Sequence, residues 1–168
     1  MRRPILTFFV RICLVTALGC GSTGSNFAGA VKTAEGASVF EGLPHASFEK
    51  ELYDQERAKP VKELLGDSFY EGAVEVKAED LAAVRVILGD SGNYESFTGE
   101  KKCGGFHPNW AVEWTRGSDR FTALICFGCD EVKLLGPWGE SRHDLGGDSS
   151  TSLEKVLRPY RKNRPAPK

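Results

Sequence analysis

The sequence predicts one α+β domain, a small antiparallel β-meander of three to five strands with two or three helices packed on one face. Three observations predict it. Apolar residues alternate on both sides of a Gly117-Ser118 turn, two later segments carry helical apolar stripes, and the chain behind its leader suffices for one core but not two.

The leader comes first. Arg2 and Arg3 precede the apolar run Pro4 to Gly19, which Arg11 interrupts. A basic start, a short apolar centre and small residues at the end predict a signal peptide over residues 1–19. A membrane-spanning helix needs about 20 apolar residues, and Arg11 breaks this run. The leader ends Ala17-Leu18-Gly19-Cys20, then GSTGSNFAGA. This resembles the bacterial lipoprotein signal, in which a cysteine behind a small residue is lipidated on sulfur, with palmitate-type chains, and becomes the new N-terminus. Ala17 stands where that signal commonly has leucine, and Ala17 and Gly19 also fit ordinary small-x-small signal cleavage. The expectation is an exported domain outside the cytoplasm, anchored through Cys20 to the bacterial cell-envelope membrane. Residues 20–42, rich in Gly, Ser and Ala, then read as the lipidated cysteine and a flexible tether.

The domain proper is expected over residues 43–162. Ser47 is placed to cap a short helix after Pro44, with Phe48 and Leu52 on one face, and Pro60 ends it. Val74 and Val76 alternate with Glu75 and Lys77, which favours a strand near 68–77. AEDLAAVRVIL is a helix: Glu79 and Asp80 lie in its first turn, Leu81, Val84 and Leu88 form a stripe, and Gly89 closes it.

The following hairpin is specified by its turn. With Arg116 facing Asp119 across Gly117-Ser118, Trp114 faces Phe121, Val112 faces Ala123 and Trp110 faces Ile125. All six fall on one face and Glu113 opposite Thr122 on the other, so a slip of one residue would put both tryptophans in water. A third strand is expected over Glu131 to Leu135, and GESRHDL adds a fourth. Thr151 and Glu154 have capping-box spacing ahead of the stripe Leu153, Val156, Leu157 and Tyr160, and Pro159 ends that helix near Arg158. Residues 163–168 read as a solvated basic tail.

The same register brings Cys103, His107, Cys126 and Cys129 to one end of the hairpin. Four readings stay open. Two of the cysteines could form a disulfide, which suits an oxidising compartment. All four residues could bind zinc as a closed Cys3His site. Cys126-Phe127-Gly128-Cys129 could be a redox pair, although strand-forming EVKLL follows it rather than the helix that lowers thiol pKa in such sites. The thiols could also be inert and buried.

KKCGGFHPNWAVEW, LICFGCDEVKLLGP, GLPHASFEKEL and LRPYRKNRP together resemble a group of uncharacterised bacterial lipoproteins and exported proteins, from about Gly42 to Pro165. The resemblance implies export, a small α+β domain and a cysteine-bearing hairpin. It brings with it no activity and no catalytic residues.

Composition narrows the function further. Loss of residues 1–19 takes Arg2, Arg3 and Arg11 and no acid, leaving 19 basic against 23 acidic side chains. That acidic balance lacks the basic footprint nucleic-acid binding needs. No GxSxG, HExxH or phosphate-cradling loop is present. His45 and His143 read as loop or edge residues, and Asp144 to Asp148 as a solvated turn without calcium-loop spacing. No catalytic residue is assigned and no cofactor is expected unless the cysteine cluster takes zinc. The sequence thus reads as a lipid-anchored domain that binds or scaffolds an envelope protein, with metal binding or thiol redox chemistry at the cluster as the alternative.

Overall fold

A computed structural model of the chain describes residues 22–99, 101 and 103–165. The expected signal peptide over residues 1–19 and the expected lipidation at Cys20 lie outside the described residues. Six antiparallel strands form the main sheet: β1 (Gly36–Glu41), β4 (Tyr94–Ser96), β5 (Trp110–Arg116), β6 (Asp119–Cys126), β7 (Glu131–Gly136) and β8 (Gly139–Leu145), in the order β1-β5-β6-β7-β8-β4. A separate two-stranded hairpin is made by β2 (Val61–Leu64) and β3 (Asp67–Tyr70). The helices are α1 (Thr23–Lys32), α2 (Lys50–Arg57), α3 (Ala78–Leu88) and α4 (Ser149–Leu157). This is the α+β architecture expected from sequence, with one more strand in the sheet than the upper expectation.

The β5–β6 hairpin has the expected register. Arg116 pairs with Asp119, Trp114 with Phe121, Val112 with Ala123 and Trp110 with Ile125. Gly117 supplies the left-handed φ of +56° that this turn demands of its first central residue. β8 covers the GESRHDL segment, pairing β7 from Gly136 opposite Gly139 to Glu131 opposite Asp144.

One face of the sheet carries the main core. Trp110, Val112, Trp114, Phe121, Ala123, Ile125, Val132 and Leu134 point from the strands, and α1, α3 and α4 cover them with Phe27, Val31, Val84, Leu88, Leu153 and Leu157. Trp110 and Trp114 are fully buried. At about 25 cal/mol per Å² of apolar surface, each is worth several kcal/mol. The opposite face carries a smaller cluster of Phe40, Phe69, Ala111 and Leu124, covered by the β2–β3 hairpin with Leu64, Leu65 and Phe106.

Several expectations are corrected. Residues 22–42 are not a flexible tether, because α1 and β1 are integral to the sheet and core. Ser22 caps α1 by accepting the Ser25 N–H, Phe27 sits edge-on to Phe121 at 5.6 Å, and Arg85 of α3 donates to the Val31 and Ala34 carbonyls at 2.8 and 2.7 Å. The strand expected near 68–77 stops at Tyr70, and only Val74 rejoins the sheet as a bridge to Val39. Ser47 does not cap α2, which starts behind Glu49 without a side-chain cap. α4 starts at Ser149, so Thr151 lies inside the helix, where the capping-box geometry has no place. Asp144 is a buried β8 residue, held by the Thr98 hydroxyl at 2.7 Å and by Lys101 at 3.3 Å.

Nor is the C-terminal segment a free tail. The backbone N–H groups of Lys162, Asn163 and Arg164 donate to the fully buried Glu41 carboxylate at 3.0, 2.8 and 3.2 Å. A buried charge must find such donors, and the chain end supplies them. Among the described residues no helix is long and apolar enough to cross a membrane.

Candidate functional site: the disulfide end of the central hairpin

Three turns meet where β5 begins and β6 ends. Residues 103–108 lead into β5, residues 43–48 follow β1, and Leu65-Gly66 joins β2 to β3. Gly42 permits the first two to touch, since a Cβ there would lie 2.1 Å from the Pro108 carbonyl oxygen. Gly104 does the same at the rim, with a φ of +81° and room for no Cβ beside the Phe48 ring. Leu65 and Gly66 both take left-handed φ, the twist a two-residue hairpin needs. For Leu65 that conformation is strained and is held by packing on the second cluster.

The cysteines converge as the hairpin register requires, and two of them are bonded. Cys103 and Cys129 form a disulfide spanning 26 residues, with Cα atoms 5.8 Å apart. Cys126 is free and buried. Burial pushes its pKa up, against the nearby backbone N–H groups of His107, Cys129 and Gly128, which favour the thiolate. Of the alternatives read from sequence, the disulfide is the one this geometry contains, between Cys103 and Cys129. Among the described residues no group of three or more His, Cys, Asp or Glu is placed to hold a metal.

His107 is turned away from the sulfurs. Its Nε2 donates to the Leu43 carbonyl at 2.9 Å, and its ring lies 4.5 Å from that of His45. Burial, with the neighbouring His45, lowers its pKa to about 4, so it is neutral across the physiological range. His45 was assigned no role from sequence, yet it organises the turn. Its Nδ1 accepts the Ser47 and Phe48 N–H groups at 3.1 and 3.4 Å, which puts its proton on Nε2. That Nε2 is buried without a hydrogen-bond partner among the described residues. Glu49 fixes the same turn by accepting the His45 N–H at 3.0 Å and pairing with Arg164. Burial resists its ionisation, but those two donors outweigh it and hold its pKa below the ordinary value.

Between the three turns lies a cleft of about 240 Å³ lined by His45, Tyr53, Asp67, Ser68, Phe106 and His107. Asp67 has its pKa raised by burial, against the pull of Lys133 at 3.5 Å. Under this floor the sheet carries a buried ionic layer. Glu131 lies directly opposite Cys126 and is fully buried, with Oε2 held by Arg142 Nε and Nη2 at 2.8 and 2.5 Å. Arg142 is in turn stacked between Phe97 and Phe106, at 4.3 and 5.2 Å from the ring centres. Glu131 escaped the sequence reading, although continuing the hairpin register across the 127–130 turn places it beside Cys126.

His143 is placed elsewhere. It sits on β8, bonded through Nε2 to the Ser141 hydroxyl at 2.9 Å. Compared with family models, with curated proteins and with solved structures, the chain matches none.

Proposed function

We propose that this chain is an exported, lipid-anchored cell-envelope domain that binds a partner protein at the disulfide end of its central hairpin. The Cys103–Cys129 disulfide is the observation that supports this most, because such bonds persist in oxidising compartments and are rare in reducing ones. The leader and Cys20 agree with it. Ser22, the cap of α1, is two residues from Cys20, so a lipid there would hold α1 within about 7 Å of contour from its anchor, at roughly 3.5 Å per residue.

The cleft supports protein binding over small-molecule turnover. Its volume of about 240 Å³ lies below the roughly 300–1,000 Å³ of ordinary ligand pockets. It suits one inserted side chain of a partner, flanked by Phe48, which is 69% exposed at the rim. The His45 ring forms part of the wall that side chain would meet.

The test uses the full chain and Cys20→Ser in bacterial cells, with membrane fractionation and intact mass. The expected result is an acylated, membrane-bound parent and an unacylated variant released from the membrane. An unmodified Cys20 in the parent refutes anchoring. A photo-crosslinker at Phe48 should yield a crosslinked envelope protein that is lost in His45→Ala. Crosslinking that ignores His45 refutes the cleft as the docking point.

A further inference from the structure

The binding reading leaves the buried Cys126–Glu131 pair unexplained. Cys126 is 2% exposed and Glu131 fully buried, and they face each other across the β6–β7 ladder. Directly opposed strand residues have Cβ atoms about 4.5–5.5 Å apart. Glu131 Oε1 has no hydrogen-bond partner among the described residues, while its other oxygen is held by Arg142. An unpaired buried carboxylate oxygen is costly, so an inert filler at position 126 does not account for it. Among the described residues Oε1 is thus an unoccupied acceptor on the residue that faces Cys126 across the ladder.

The disulfide is close in the chain as well. Cys126 and Cys129 are the ends of a CxxC turn, three residues apart. The backbone N–H groups of His107, Cys129 and Gly128 favour the Cys126 thiolate, although burial outweighs them. Cys129 is already in a disulfide with Cys103, whose turn carries Gly104 and Gly105 at left-handed φ.

We propose that Cys126, Cys129 and Cys103 form a thiol–disulfide exchange relay, with Glu131 as proton acceptor, that rearranges disulfides of exported proteins. In the first step the Cys126 proton passes to Glu131 Oε1 and the Cys126 thiolate attacks Cys129 Sγ. The Cys126–Cys129 bond forms as the Cys103–Cys129 bond breaks, and Cys103 leaves as a thiolate. One disulfide is exchanged for another, so no external oxidant or reductant enters. In the second step the Cys103 thiolate attacks a disulfide of the partner, giving a mixed disulfide and releasing one partner thiolate. A thiolate of that partner then attacks its own sulfur in the mixed disulfide, which leaves a rearranged partner bond and regenerates the Cys103 thiolate. The relay thus moves the reactive sulfur from a buried position to the half-buried rim.

The test is alkylation of the folded chain by N-ethylmaleimide without reductant, followed by non-reducing peptide mapping. The expected adduct is on Cys103, with a Cys126–Cys129 linked peptide. Cys126→Ser, and Cys126→Ala as a second variant, should take no adduct and keep the Cys103–Cys129 link. An adduct on Cys126 with that link intact, or no adduct before denaturation, overturns the relay. Glu131→Gln should slow Cys103 labelling about tenfold or more, as loss of a positioned base does. Glu131→Asp, which keeps the charge but withdraws it, should act in the same direction. Unchanged rates in folded Glu131 variants remove Glu131 from the step. With disulfide-scrambled ribonuclease as the probe, the parent should form a mixed disulfide at Cys103 and restore ribonuclease activity, and Cys126→Ser should do neither. Labelling at Cys103 without that mixed disulfide overturns the partner step alone.

Discussion

The Glu41 carboxylate makes a quantitative test of how the chain end is held. It is fully buried, with Oε2 accepting two backbone N–H groups, Oε1 a third, and Arg161 Nε 3.8 Å away. Ending the chain at Tyr160 removes all four partners at once. Hydrogen bonds to a charged group contribute about 1.5–3 kcal/mol each, but fixing residues 161–164 costs about 1–2 kcal/mol of backbone entropy apiece, so those two largely cancel. What remains is the buried charge without compensation, for which a loss of about 3–5 kcal/mol is expected. The exposed part of the Arg164–Glu49 pair adds about 1 kcal/mol or less. Urea unfolding of four chains isolates the Glu41 share: full-length and truncated, each with Glu41 or Glu41→Gln. In the full chain the amide turns one acceptor into a donor facing N–H groups, and Gln should destabilise by about 1–3 kcal/mol. In the truncated chain Gln removes the stranded charge and should stabilise. A truncated chain within about 1 kcal/mol of the parent, or a Gln effect of the same sign in both backgrounds, refutes the reasoning.

Three further outcomes are expected. Phe27→Ala should cost about 3–5 kcal/mol in urea unfolding, because a fully buried ring packed on Phe121 is lost; a tether residue would cost nothing measurable. Cys103→Ser should cost about 3.5 kcal/mol from the unfolded-chain entropy of a 26-residue loop, and reduction of the parent should give a similar loss in the same assay. His107 has a folded pKa of about 4, below the ordinary 6.5, so the unfolded chain binds the extra proton between those values. Stability should therefore be fully present above pH 6.5, fall as pH drops toward 4 and then level. NMR of the ring should show no titration between pH 6 and 8, and an ordinary midpoint near 6.5 would contradict its burial.

What was legible in the sequence was local. The β5–β6 register follows from one turn and two residues of opposite charge, and α3 from its stripe and acidic first turn. α1 and β1 were not legible, because FAGAVK and GASVFE are small-residue segments with little periodicity of their own. β1 gains its identity only by pairing with β5, whose partner residues lie 69 to 79 positions along the chain. Tertiary packing overrides composition there. The docking of residues 162–164 was hidden for the same reason, since its cause is a buried carboxylate 121 residues away. At the site, CxxC, Cys103 and His107 were visible as types and spacing, but which sulfurs pair is a matter of side-chain direction at the strand end. Glu131 was one step of register away.

The two faces of the sheet carry different chemistry, and that difference locates function. The helix-covered face is apolar from Val39 to Leu134, and burial alone accounts for its residue choices. On the other face Lys62 pairs with Glu113, Lys133 with Asp67, Lys101 with Asp144 and Arg142 with Glu131, all under a thin cover of one hairpin and one turn. Replacing such pairs by well-packed apolar residues is often neutral or stabilising, so their stability value does not explain their presence. Most lie on strands already held by the main core; Glu131 faces the free thiol, and Asp67 lines the His45–His107 cleft. A face whose folding energy comes from elsewhere is free to hold groups that burial penalises, and it is there that binding and thiol chemistry are to be sought.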